Sequence, residues 1–148
     1  MNVDTEAFRE QLVRELNGSD GFARETRWFD GAILLEIDGG QCWLKVYRGR
    51  VIDVLGFTPP LGYTFKISGP ARPWQQLACG ERKLVDLITP GSRYFDSPAD
   101  VDAASTLTPP QIRIEGNTLE ASRIHEALFH LADCFAATVA AVARKGVL

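Results

Sequence analysis

Glu126, His130 and Cys134 recur at spacings of four. On a helix that spacing puts a carboxylate, an imidazole and a thiol on one face. Such a set could hold a transition metal or move a proton. A half-exposed polar face carrying a Glu–His pair has the same pattern. No second ligand cluster occurs in the chain, so a metal is not expected. His125 lies five residues from His130 and therefore on a different face. The two imidazoles cannot act as the paired ligands of an HExxH helix.

The nucleophiles carry no stronger signal. There is no GxSxG motif, hence no strained nucleophile elbow. Cys42 falls in a strand pattern and Cys134 in a helical one, and both read as small apolar packing groups. Asp30, Asp38 and Asp53 read as turn or edge carboxylates, without the spacing of a paired-acid site. Gly39-Gly40 lacks the following helix and lysine of a phosphate loop. The expectation is a non-catalytic protein that takes no cofactor.

Around these residues the patterning is regular. Asp4 or Thr5 can cap a helix running to about Leu16, with Phe8, Leu12 and Leu16 on one face. The cluster Asn17 to Gly21 ends it. Ile33, Leu35 and Ile37 share one face of a strand, and Asp38-Gly39-Gly40 signals a hairpin. Cys42, Leu44 and Val46 then alternate with Trp43, Lys45 and Tyr47. Arg48-Gly49-Arg50 makes a second turn into Val51–Leu55, which completes an antiparallel meander. Pro59 and Pro60 keep Gly56–Gly62 out of a central strand. Tyr63, Phe65 and Ile67 are expected to point inward from the next strand.

A short helix is expected near Pro73, carrying Trp74, Leu77 and Ala78 and stopping at Gly80. A second carries Leu84, Leu87 and Ile88 and stops at Pro90-Gly91. Ser92 to Pro110 is a polar loop, with one helical turn conceivable at Asp100 to Ser105. Ile112 and Ile114 mark a strand with one buried face. Asn117 and Glu120 then form a capping-box pattern. The helix starting there at Thr118 runs some twenty-five residues, with Ile124, Leu128, Leu131, Phe135, Val139 and Val142 in one stripe. Trp43, Phe57, Phe65 and Trp74 could fill a core or line a cavity, because periodicity does not separate the two.

Composition narrows the class. A chain of 148 residues implies one domain able to bury a real core. A net charge of −3 provides no broad basic surface, so nucleic acid is not an expected partner. Three widely spaced cysteines and no CxxC predict reduced thiols in a cytoplasmic protein. The polar start MNVDTEAFRE does not resemble a signal peptide. No continuous run of about eighteen apolar residues suggests a membrane span.

The order of elements, together with three sequence blocks, resembles the sterol carrier protein type two family. FDGAILLEIDGGQCWLKVYRG resembles the family's opening sheet. YTFKISGPARPWQQLACGERKLVDLITPG resembles its next strand and two short helices. IRIEGNTLEASRIHEALF resembles its closing strand, turn and last helix. The resemblance covers Phe29 to Phe135, and its motifs are apolar and glycine patterns. Ser92 to Pro110 is longer than the family's usual link, and the C-terminal extension carries no peroxisomal tripeptide. The resemblance therefore implies a stand-alone, prokaryotic-type cytoplasmic member.

It also implies an α+β fold: a five-stranded, largely antiparallel sheet covered by helices, with an apolar cavity between sheet and helices. Trp74, Leu77, Leu84, Leu87, Ile88, Ile114, Leu128, Leu131 and Phe135 would form its walls. The implied ligand is an apolar molecule: a fatty acid, acyl thioester, sterol or isoprenoid. A transient membrane or enzyme partner, or a homodimer, is compatible with this reading. The competing functions are a scaffold with a filled core and, third, a cavity enzyme using Glu126 or His130.

Overall fold

The computed structural model describes residues 2–89 and 109–146. Most of the expected loop, Ser92 to Pro110, and the turn at Asp100 to Ser105 lie outside the described residues.

Helix α1 spans Glu6–Asn17, and the Thr5 hydroxyl caps it by accepting the Phe8 N–H at 3.1 Å. It buries Phe8, Leu12 and Leu16, the expected stripe. The Asn17–Gly21 cluster ends α1, but it also starts another helix. Ser19 accepts the Phe22 N–H at 3.1 Å and opens α2, Asp20–Glu25. Six residues with one buried side chain, Phe22, are too few to show a periodic stripe in sequence.

Strands β1 (Asp30–Ile37), β2 (Gly40–Tyr47) and β3 (Arg50–Leu55) form the meander. Both of its turns use two residues with positive φ: Asp38 and Gly39 at 50° and 86°, Arg48 and Gly49 at 48° and 83°. That is the type I′ hairpin, whose twist matches the strands. Gly49 is required twice over, since a Cβ there would sit 2.7 Å from the Ala23 carbonyl oxygen of α2. Strand β4 (Phe65–Gly69) pairs parallel with β1, and β5 (Arg113–Gly116) pairs antiparallel with β4. The sheet order is β3-β2-β1-β4-β5. The fold is the expected α+β, with a five-stranded, largely antiparallel sheet.

The alternation of faces holds. Ile33, Leu35, Cys42, Leu44 and Ile67 join the helix-side core. Trp43 lies on the opposite face with Ala32 and Leu34. Its indole N–H donates to the Gly62 carbonyl at 2.9 Å, which ties the proline loop to that outer face. Tyr63 departs from expectation, being 38% exposed. The ladder with β1 begins at Phe65, while Thr64 exchanges hydrogen bonds with Ala32 through its N–H and hydroxyl. Phe57 is exposed as well.

Helix α3 covers Ala71–Ala78, starting two residues before Pro73, and α4 covers Leu84–Ile88. The single long helix expected from Thr118 is two helices. Helix α5 is Thr118–Arg123, capped by the Asn117 side chain, and α6 is His125–Arg144. Between them Ile124 adopts φ −112° and ψ 27° and is buried. This corner lets α5 stay on β4 and β5 while α6 turns across α1, α2 and α3. Helix α6 is long and apolar enough to cross a membrane by length and composition, although no unbroken apolar run announces it. Here it closes the core, with Leu128, Leu131, Phe135 and Val142 buried.

Candidate functional site

A small apolar cavity lies between the sheet and α3, α4 and α6. The sheet contributes Leu35 of β1 and Ile67 of β4; α3 contributes Trp74 and Leu77, and α4 contributes Leu84. Leu128, Leu131, Ala132 and Phe135 of α6 close it. Its volume is about 10 Å³, so the walls nearly touch. Trp74 packs on Phe135 with ring centroids 5.0 Å apart, and Phe135 packs edge-on against Phe8 at 5.8 Å. These ring contacts link α1, α6 and α3 beside the cavity.

Six of the nine residues singled out in the sequence meet here: Trp74, Leu77, Leu84, Leu128, Leu131 and Phe135. Leu87 is buried in the core nearby, and Ile88 and Ile114 are partly buried against that core. None of these three lines the cavity. Leu35, Ile67 and Ala132 do, and were not singled out. Alternation in β1 and β4 already placed Leu35 and Ile67 on the right face. Ala132 had only its small size as a signal.

Beside the cavity runs an open groove of about 440 Å³ between α3, α4 and α6. Leu77, Leu84 and Ala132 line both spaces, forming a shared partition. Val85, Phe129 and Ala136 extend the apolar floor, and Arg82, Lys83 and Asp133 put charge on the rim. Two of the three partition residues belong to short elements, Leu77 to α3 and Leu84 to α4. Helices α3 and α4, like α6, have no side-chain N-cap, unlike α1, α2 and α5. Without a cap, the first-turn N–H groups, which lack intrahelical partners, find no side-chain acceptor and the turn opens more easily.

The polar candidates lie elsewhere. The Glu126 side chain is 63% exposed beside His125. The His130 ring packs against Gly21 of α2, where any Cβ would collide with it. The Cys134 thiol donates to the Glu15 carbonyl of α1 at 3.5 Å. Among the described residues no group of three His, Cys, Asp or Glu side chains could hold a metal. Neither Glu126 nor His130 reaches the cavity wall.

All three cysteines are free. Burial pushes the Cys42 thiol up to about 12 and the Cys134 thiol up to about 11. Both stay protonated and poorly nucleophilic at neutral pH, whereas Cys79 is exposed at the end of α3. Iodoacetamide on the native protein should therefore label one thiol quickly, and peptide mapping should place it at Cys79. All three should react after unfolding. Rapid native labelling of Cys42 would contradict the packing described.

No protein-family model matches the sequence, and no curated protein matches it. Solved structures do match. A crystal structure of sterol carrier protein 2 superposes with a TM-score of 0.67 at 15% identity, covering 91% of this chain and 98% of that one. This chain has the sterol carrier protein 2 fold. A solution structure from Thermus thermophilus, of a conserved hypothetical protein described as a candidate sterol carrier protein, has a TM-score of 0.64. It is 14% identical and covers 93% of this chain and 90% of its own. At such identity it is the fold that is shared.

Proposed function

We propose that the protein is a non-catalytic, cytoplasmic carrier of a single lipid, a stand-alone, prokaryotic-type relative of the sterol carrier proteins. The observation that carries this reading is the cavity's partition. An apolar cavity and an apolar groove share one wall, made by Leu77 of α3 and Leu84 of α4, two short, uncapped helices, against Ala132 of α6. Moving α3 and α4 outward would merge the two spaces into a tunnel. The likeness to sterol carrier protein 2 supports the same use of the fold.

The driving force would be hydrophobic transfer. Each buried methylene contributes about 0.8 kcal/mol, so a long acyl chain gains on the order of 10 kcal/mol before ordering costs reduce it. The ligand classes that fit are fatty acids, acyl thioesters, sterols and isoprenoids. Lys83 on the rim suits an acidic headgroup left at the surface. A membrane or an enzyme would be the transient donor or acceptor of the cargo.

One observation favours a second reading, a scaffold or dimerisation module. The cavity of about 10 Å³ is closer to a filled core than to an empty tunnel. Mass spectrometry of an organic extract, followed by displacement of a fluorescent fatty acid by members of these lipid classes, separates the two readings. The carrier reading expects one co-purifying lipid class and micromolar displacement by it. An empty extract and no binding across the panel would leave the scaffold.

A further inference from the structure

The buried side-chain donors of this protein are generally paired. The Thr26 and Thr138 hydroxyls donate to carbonyls at 2.7 Å, and the Trp43 indole donates to Gly62 at 2.9 Å. Trp74 breaks the pattern. It is 3% exposed, yet its indole N–H finds no acceptor among the described residues. A buried donor left unpaired is destabilising. Among the described residues lining the apolar cavity, Trp74 also supplies the only side-chain nitrogen or oxygen.

A buried water needs two to four polar partners. The lining side chains among the described residues offer one, and the Gln111 carbonyl is an acceptor close to the indole, since a Cβ on Gly69 would lie 2.9 Å from that oxygen and 3.4 Å from Nε1. An amphipathic molecule differs from water, because an oxygen attached to a hydrocarbon can accept this one hydrogen bond while its apolar body meets the other walls. Gly69, at the end of β4, leaves bare backbone beside the indole.

We propose that Trp74 Nε1–H is the polar anchor of the cavity, and that the cargo is a lipid with an acceptor oxygen, a carbonyl of a ketone, ester or thioester, on the part that enters. This rests on the carrier reading and narrows it. Pure hydrocarbons would fill the same space but leave the donor unpaired.

The test uses two probes of one skeleton: a long-chain methyl ketone and the alkene in which a CH2 group replaces the ketone oxygen. Trp74→Phe keeps the ring contact with Phe135 and removes the N–H. The ketone-to-alkene affinity ratio should fall about three- to tenfold in the variant, the range one uncharged hydrogen bond supports. A second measurement needs no variant. In the wild-type protein the Trp74 indole proton resonance should move downfield with the ketone and not with the alkene. If both probes shift Leu128 and Leu131 methyl signals while the indole stays put and the ratio is unchanged, the anchor is refuted and the carrier reading stands. If neither probe binds, the carrier reading fails and the anchor fails with it.

Discussion

Phe135→Ala is expected to destabilise the protein by about 3–5 kcal/mol, the range for emptying a large, fully packed aromatic site. Phe135 is 1% exposed and stands between Phe8 of α1 and Trp74 of α3. Removing it deletes both ring contacts and uncouples α6 from the elements on either side. Urea denaturation should show a lower midpoint with an unchanged slope. A loss below about 1 kcal/mol would mean that the ring does not join these layers.

Leu131→Ala comes next. A ready-made tunnel would absorb the truncation at little cost, whereas a cavity of about 10 Å³ holds no such reserve. The cost should therefore fall in the middle or upper part of the range of about 2–5 kcal/mol for buried Leu→Ala. The variant should also gain space where α6 faces Leu35 and Ile67. On the carrier reading its preference shifts toward bulkier ligands in the fluorescent displacement assay. A stability loss with identical ligand selectivity would place Leu131 in the core alone.

Much of this architecture was legible because two periods dominate the sequence. Alternation in β1 and β2 separated Leu35 and Leu44 from Leu34 and Trp43, and the two positive-φ turns carried their glycines in plain view. The failures have physical causes. Helix α2 depends on a Ser19 cap and on close packing at Gly21 and Gly49, neither of which leaves a periodic trace. The stripe from Ile124 to Val142 runs on without a visible stop, yet Ile124 turns a corner because α5 and α6 pack on different partners.

The candidate site was legible in part for the same reason. Helical spacing found Leu128, Leu131 and Phe135, which share a face. It also favoured Leu87 and Ile88, although in so short a helix only Leu84 reaches the cavity. Whether the walls enclose space depends on side-chain volumes across four elements, which no single-segment pattern encodes. The unpaired indole of Trp74 was invisible for a related reason, since a missing acceptor is a property of the assembled neighbourhood.

The parallel pairing of β1 with β4, and the seating of α6 on α1, also bear on how the chain reaches its native state. The meander can zip from neighbouring residues and seat α1 on β3, but the core between them stays incomplete until α6, the last described element, returns to α1. Closing such long loops before they yield contacts slows folding. On the ribosome, a chain emerging N-terminus first would carry Ile33, Leu35 and Leu44 without the α6 side chains that complete the core around them. Its window of vulnerability to aggregation would last until α6 has cleared the exit tunnel.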